Sequence, residues 1–171
     1  MAKRVIKMRL SSNSITEVVK QLKDYQEELK RKASIFIQRL CEIGIDTASL
    51  HKSGHGDSNR GDIEITASNV EYVGSKAKIR LMMNGKDVAF VEFGAGVAWN
   101  GSGGSSPNPY GAPLGMIIGS YGQGHGLEDF WFYKNEAGEW VKSRGTEATM
   151  PMYYADRAII DSIVSVAKEV F

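Results

Sequence analysis

The chain has 171 residues, 21 Lys and Arg against 20 Asp and Glu, a formal net charge of +1, 42% apolar residues and a single cysteine. At this length a folded chain hides roughly two-thirds of the surface its unfolded form exposes, so a core needs neither disulfide nor metal. The near-zero charge argues against a protein that coats nucleic acid with one strongly basic face, and lone Cys41 excludes an internal disulfide and a four-cysteine zinc site.

Cys41 reads as a small core residue. Every apolar run falls far short of the roughly 20 residues of a membrane span, and Met1 to Leu10 lacks a signal-peptide core, so the expectation is a soluble protein folded in a reducing cytoplasm, with no membrane partner.

Val5 to Leu10 alternates and reads as a short strand, which Ser11 to Ser14 breaks. Ser14 and Glu17 have capping-box spacing and predict a helix start. Ile15, Val18, Val19, Leu22, Tyr25, Leu29, Ala33, Phe36, Ile37, Leu40 and Ile43 keep steps of three and four, so one helix is expected from Ile15 to Leu50. Its first half carries Lys20 with Asp24, Lys23 with Glu27, Glu27 with Arg31 and Glu28 with Lys32, the pattern of a solvated face. From Ala33 to Ile45 polar residues thin out, which predicts packing on more than one side.

His51 to Gly61 is polar and glycine-rich, a surface loop. Beyond it the period becomes two: Ile63, Ile65 and Ala67, then Val70, Tyr72 and Val73, then Ala77, Ile79 and Leu81 predict three strands. Asn84-Gly85 is a type I′ hairpin signal, with Val88, Phe90, Val91 and Phe93 as the returning strand. Eleven of the 33 residues from Gly94 to Gly126 are glycine, so most of this segment is expected to be an extended loop, with Trp99, Tyr110, Met116, Ile117, Ile118 and Tyr121 docking on a surface. Phe130 to Tyr133 and Glu139 to Ser143 predict a second hairpin, and Pro151 opens a last amphipathic helix. Terminal helices around antiparallel hairpins make a single α+β domain over 1–171.

Chemistry-bearing residues are sparse. His51, His55 and Asp57 have short spacing, but Gly54 and Gly56 break the helix that would aim two imidazoles at one ion, and a solvated loop explains them better. His125 between Gly124 and Gly126 invites a proton-transfer role, yet the segment lacks the Walker lysine and the dinucleotide fingerprint, and a turn-rich loop accounts for it. Trp131, Phe132, Tyr133 and Trp140 suit either a stacking platform for bases or sugars or a partner contact, and overall neutrality favours the latter. No catalytic, cofactor or metal site is expected, and no enzymatic activity; the alternative is a metal-dependent nucleic-acid-processing enzyme using His51, His55, Asp57 or His125.

Phe90-Val91-Glu92-Phe93-Gly94-Ala95-Gly96-Val97 resembles a block of the gene-product-ten-like family of HK-type siphophages, tail components or head-tail joining proteins. Gly119 to Gly126, then Trp131-Phe132-Tyr133 with Trp140, then Gly145-Thr146-Glu147-Ala148-Thr149-Met150-Pro151-Met152-Tyr153 resemble later blocks in the same order. The resemblance covers nearly the whole chain; the short Pro-Val-Asp-Thr-Gly segment that members often carry is absent at His51 to Asn59. It implies a structural virion protein, made in the host bacterial cytoplasm, that forms an oligomeric ring, expected to be sixfold, at the neck or upper tail. Tail terminator or minor capsid protein are alternative positions. Expected partners are further copies of the chain and other neck, tail terminator and tail tube proteins, with DNA only passing through the channel. The expected contact residues are Glu92, Phe93, Trp99, Tyr110, Met116, Ile117 and Tyr121, because a closed ring needs heterologous surfaces and a docked loop offsets the entropy of ordering its glycines.

Overall fold

A computed structural model describes residues 6–7, 9–52, 63–101, 106–116 and 129–171. The architecture is α+β: a long first helix and a last helix pack together and carry small antiparallel two-stranded sheets. Helix α1 runs Ser12–His51 and α4 runs Pro151–Val170. At 1.5 Å per residue they measure about 60 and 30 Å. They lie antiparallel: Phe36 meets Phe171 edge to face at 5.9 Å, Arg39 pairs with Glu169 at 2.7 Å, and His51 stacks on Tyr154 at 4.2 Å. Buried Cys41, Gly44 and Ala48 on α1 let α4 approach closely. A β-carbon at Gly44 would lie 2.7 Å from Ile159 Cδ1.

The α1 cap differs from the predicted box. Ser11 is the N-cap and its side chain accepts from the Ser14 amide at 3.4 Å, while Ser14 Oγ accepts from the Arg9 amide at 3.0 Å. The described residues between Ile6 and Leu10 are not in a strand. The second half of α1 is packed on more than one side, by α4 and by the sheets.

Strands β1 (Glu64–Ala67) and β4 (Leu81–Asn84) pair antiparallel, with Ile65 opposite Met83. Between them β2 (Glu71–Val73) and β3 (Lys76–Lys78) form a tight hairpin. Tyr72 OH ties that hairpin to α1, reaching the Lys30 carbonyl at 2.5 Å and Ser34 Oγ at 2.6 Å.

The expected strand after Asn84-Gly85 is instead helix α2, Val88–Phe93. β4 is already paired with β1, and a six-residue segment of five apolar residues and Glu92 is too short for its periodicity to separate strand from helix. As a helix the segment buries Val91 and Glu92. A short turn of helix, α3 (Val97–Asn100), and a 3-10 turn at Ala112–Leu114 follow inside the glycine-rich segment. Strands β5 (Trp131–Lys134) and β6 (Trp140–Ser143) form the predicted second hairpin around Asn135 to Gly138. The core joins Leu40, Cys41 and Ala48 to Ile63, Val91, Ala95, Ala155 and Val166.

Candidate functional site

Helix α4 opens without a side-chain cap of its own. Pro151 disfavours the right-handed helical region for the residue before it, and Met150 takes a left-handed conformation, φ +51°. The amides of Thr149 and Met150 donate to the Val91 carbonyl at 3.0 and 3.4 Å. Glu92, one residue on, then supplies the missing cap from a distant part of the chain. Its Oε2 accepts from the Met152 amide at 2.8 Å, and its Oε1 accepts from the Tyr153 amide at 3.0 Å and Asn108 Nδ2 at 2.7 Å. A carboxylate at a helix N-terminus is favoured by both the free amides and the helix dipole. Burial pushes the Glu92 carboxyl above its ordinary value, and the three donors pull it back down.

Asn108 is 1% exposed and organises the loop behind Glu92. Its Oδ1 accepts from the Tyr110 amide at 2.9 Å, its own amide donates to Ser106 Oγ at 3.1 Å, and Ser106 Oγ donates to the Phe93 carbonyl. Asn100 does similar work nearby: Nδ2 donates to the Thr146 carbonyl at 2.8 Å and Oδ1 accepts from the Ala148 amide at 2.8 Å. A β-carbon on Gly94, φ +81°, would lie 2.6 Å from Asn100 Oδ1, so this corner closes only around glycine. Ala95 and Thr146 complete it with two reciprocal backbone hydrogen bonds of 2.9 Å.

These contacts locate the residues expected to meet a partner. Glu92 is turned into the protein, 7% exposed, with both oxygens bound within its own chain. Phe93 is half-buried beside it. Trp99 and Tyr110 remain exposed, and the Tyr110 ring meets Tyr153 edge to face at 5.7 Å. Met116 is half-buried at the end of the 3-10 turn, where its amide donates to the Gly111 carbonyl at 2.9 Å. Ile117 and Tyr121 lie outside the described residues, as do His55, Asp57 and His125. His51 packs flat on Tyr154. Among the described residues no three His, Cys, Asp or Glu side chains converge on a common point, and no helix is long and apolar enough to cross a membrane.

Two exposed surfaces stand out. On α1, the contacts made by Lys30, Ser34, Phe36, Arg39 and His51 begin at Lys30, while Ile15, Val19, Leu22 and Leu29 ahead of it are 44, 46, 50 and 36% exposed. The predicted apolar stripe is therefore real, but its leading part extends beyond the end of α4. The second surface is the β5–β6 hairpin. Alternation puts Trp131, Tyr133, Val141 and Ser143 on one face and Phe132, Lys134, Trp140 and Lys142 on the other. The first face is the more covered one: Ser143 is buried, Val141 is half-buried and the Trp131 ring lies against Gly96 and Gly145, with Trp131 and Tyr133 still partly exposed. The other carries Phe132 and Trp140, 56 and 68% exposed. Beside the hairpin turn, Lys86, Tyr133, Lys134 and Glu136 border an open cleft of about 480 Å³.

Sequence reasoning passed over Asn100, Ser106 and Asn108. The signal was present, since asparagine and serine among glycines and prolines are the residues that hydrogen-bond nearby backbone in loops, but which distant amides they reach depends on the fold. No family model matches the chain, and no curated protein or solved structure is significantly similar to it.

Proposed function

We propose that the protein is a structural component of a tailed-phage virion, at the neck or upper tail, where copies assemble into a ring around the DNA channel. The observation that carries this reading is the leading half of α1, an apolar stripe of Ile15, Val19, Leu22 and Leu29 left exposed beyond the end of the helix pair. Such a stripe in water favours association, because isolated apolar residues are common on surfaces but contiguous ones mark contacts. Trp99 and Tyr110 lie near the other end of α4, where Tyr110 packs on Tyr153. Two different apolar surfaces at separated positions fit a head-to-tail interface, and repetition of such an interface closes a ring when the rotation permits. The ordered sequence blocks that resemble siphophage head-tail joining proteins support the same role.

Light scattering across a concentration series, followed by electron microscopy, tests it. A species of defined copy number with a central opening is the expected result. A chain that stays monomeric, and whose removal from a phage leaves normal virions, would overturn the proposal.

A further inference from the structure

We infer that the outer face of the β5–β6 hairpin binds single-stranded nucleic acid without sequence preference. The face is a checkerboard of rings and cations. Across the register Phe132 stands opposite Lys142 and Lys134 opposite Trp140. Phe130 joins them, its ring edge to face with Phe132 at 5.9 Å. Lys142 Nζ sits 3.9 Å from the centre of the Phe130 ring, and Lys134 Nζ 5.2 Å from that of Trp140. Each lysine is thereby held at the surface over one face of a ring rather than left to sweep through solvent.

Among the described strand residues of this face none is a carboxylate. Of the acids in the hairpin turn, Glu136 is engaged with Lys86 at 3.0 Å and Glu139 with Asn135 Nδ2 at 3.1 Å; exposed Asp129 precedes Phe130. A neutral chain thus carries a local imbalance of two positive charges among three aromatic rings. Single strands require that alternation, with bases stacked on ring faces and phosphates beside cations, and stacking accepts any base because every base has a π face. An acidic protein surface would also satisfy the charges. Two features favour nucleic acid: both cations are lysine, a residue depleted from protein interfaces yet an ordinary phosphate binder, and Phe132 and Trp140 offer exposed rings at diagonal positions of one ribbon.

The test uses the full chain and a fluorescein-labelled oligothymidylate, followed by anisotropy and by quenching of tryptophan emission. Saturable binding is expected, tighter than to a duplex of equal length. Neutralising two phosphates predicts a slope of about −1.4 in log K against log salt, at about 0.7 per phosphate on single strands. Replacing Phe132 and Trp140 together by alanine should weaken binding about tenfold or more. Lys134→Glu with Lys142→Glu should weaken it comparably and flatten the slope, while the paired arginine substitutions retain it. All four side chains lie on exposed strand positions, so circular dichroism and melting should be unchanged in these variants.

Absence of binding at low salt, equal affinity for duplex, or equal affinity for polyglutamate would each overturn the inference. It stands apart from the ring proposal: assembled rings that ignore oligothymidylate would sink this inference alone, and monomers that bind it would count against the ring alone.

Discussion

Asn108 Nδ2 lies 2.7 Å from Glu92 Oε1, and this pair joins the glycine-rich segment to the first turn of the last helix. Glu92→Ala removes a buried acceptor from three donors at once and should lower unfolding free energy by about 2–4 kcal/mol. Asn108→Ala should cost about 1–3 kcal/mol, and the double variant less than the two losses added, because the pair shares one network. Urea titration of the four proteins measures this. Strict additivity would show that the two residues act separately.

The pH dependence of Glu92 has a definite sign. Burial raises the folded carboxyl above the ordinary value of about 4.5, so between the two values the folded state holds a proton that the unfolded chain has released. Stability from this group is then fully present below about 4.5 and declines as pH rises through the folded value. Comparing wild type with Glu92→Gln isolates it: the difference should move against wild type as pH rises above about 4.5, then level off once the folded carboxyl has ionised. Movement in the other direction would mean that the three donors outweigh burial.

Gly145 and Gly138 both have positive φ, +92° and +79°, but only the first is enclosed. A methyl group on Gly145 would overlap the Ala95 carbonyl oxygen, whereas one on Gly138 meets nothing within 4 Å. Gly138→Ala should therefore cost only the conformational penalty of about 1 kcal/mol, while Gly145→Ala should cost more than about 2 kcal/mol and open the Ala95–Thr146 bridge. Thermal melts rank the two, and similar losses would refute the enclosure argument.

Leu22 and Leu40 belong to one stripe on one helix, yet Leu22 is 50% exposed and Leu40 8%. Leu40→Ala should destabilise the monomer by about 2–5 kcal/mol. Leu22→Glu should leave monomer melting within about 0.5 kcal/mol of wild type and abolish assembly in light scattering. Unaltered assembly in Leu22→Glu would remove this stripe from the interface.

Local periodicity by itself determined the long first helix, the last helix behind Pro151, and the hairpin around Asn135 to Gly138. In each the spacing of apolar residues and the turn residues point the same way over enough chain to be decisive. Val88 to Phe93 suits a strand as well as a helix, because five apolar residues around Glu92 are too few to fix a period; only the pairing of β4 with β1 and the burial of Val91 and Glu92 make it a helix. Tertiary structure also decided what the candidate surfaces are. The regular α1 stripe says where apolar residues lie, but α4 covers its second half and ends before Leu22, since a 20-residue helix cannot span one of 40. Glu92 reads as one more charge in a surface motif until α4, lacking a cap of its own, draws it inward. Side-chain hydrogen bonds between residues sixteen and sixty positions apart leave no trace in local spacing, and so the chain's composition could describe the loop while only its packing could say what the loop holds together.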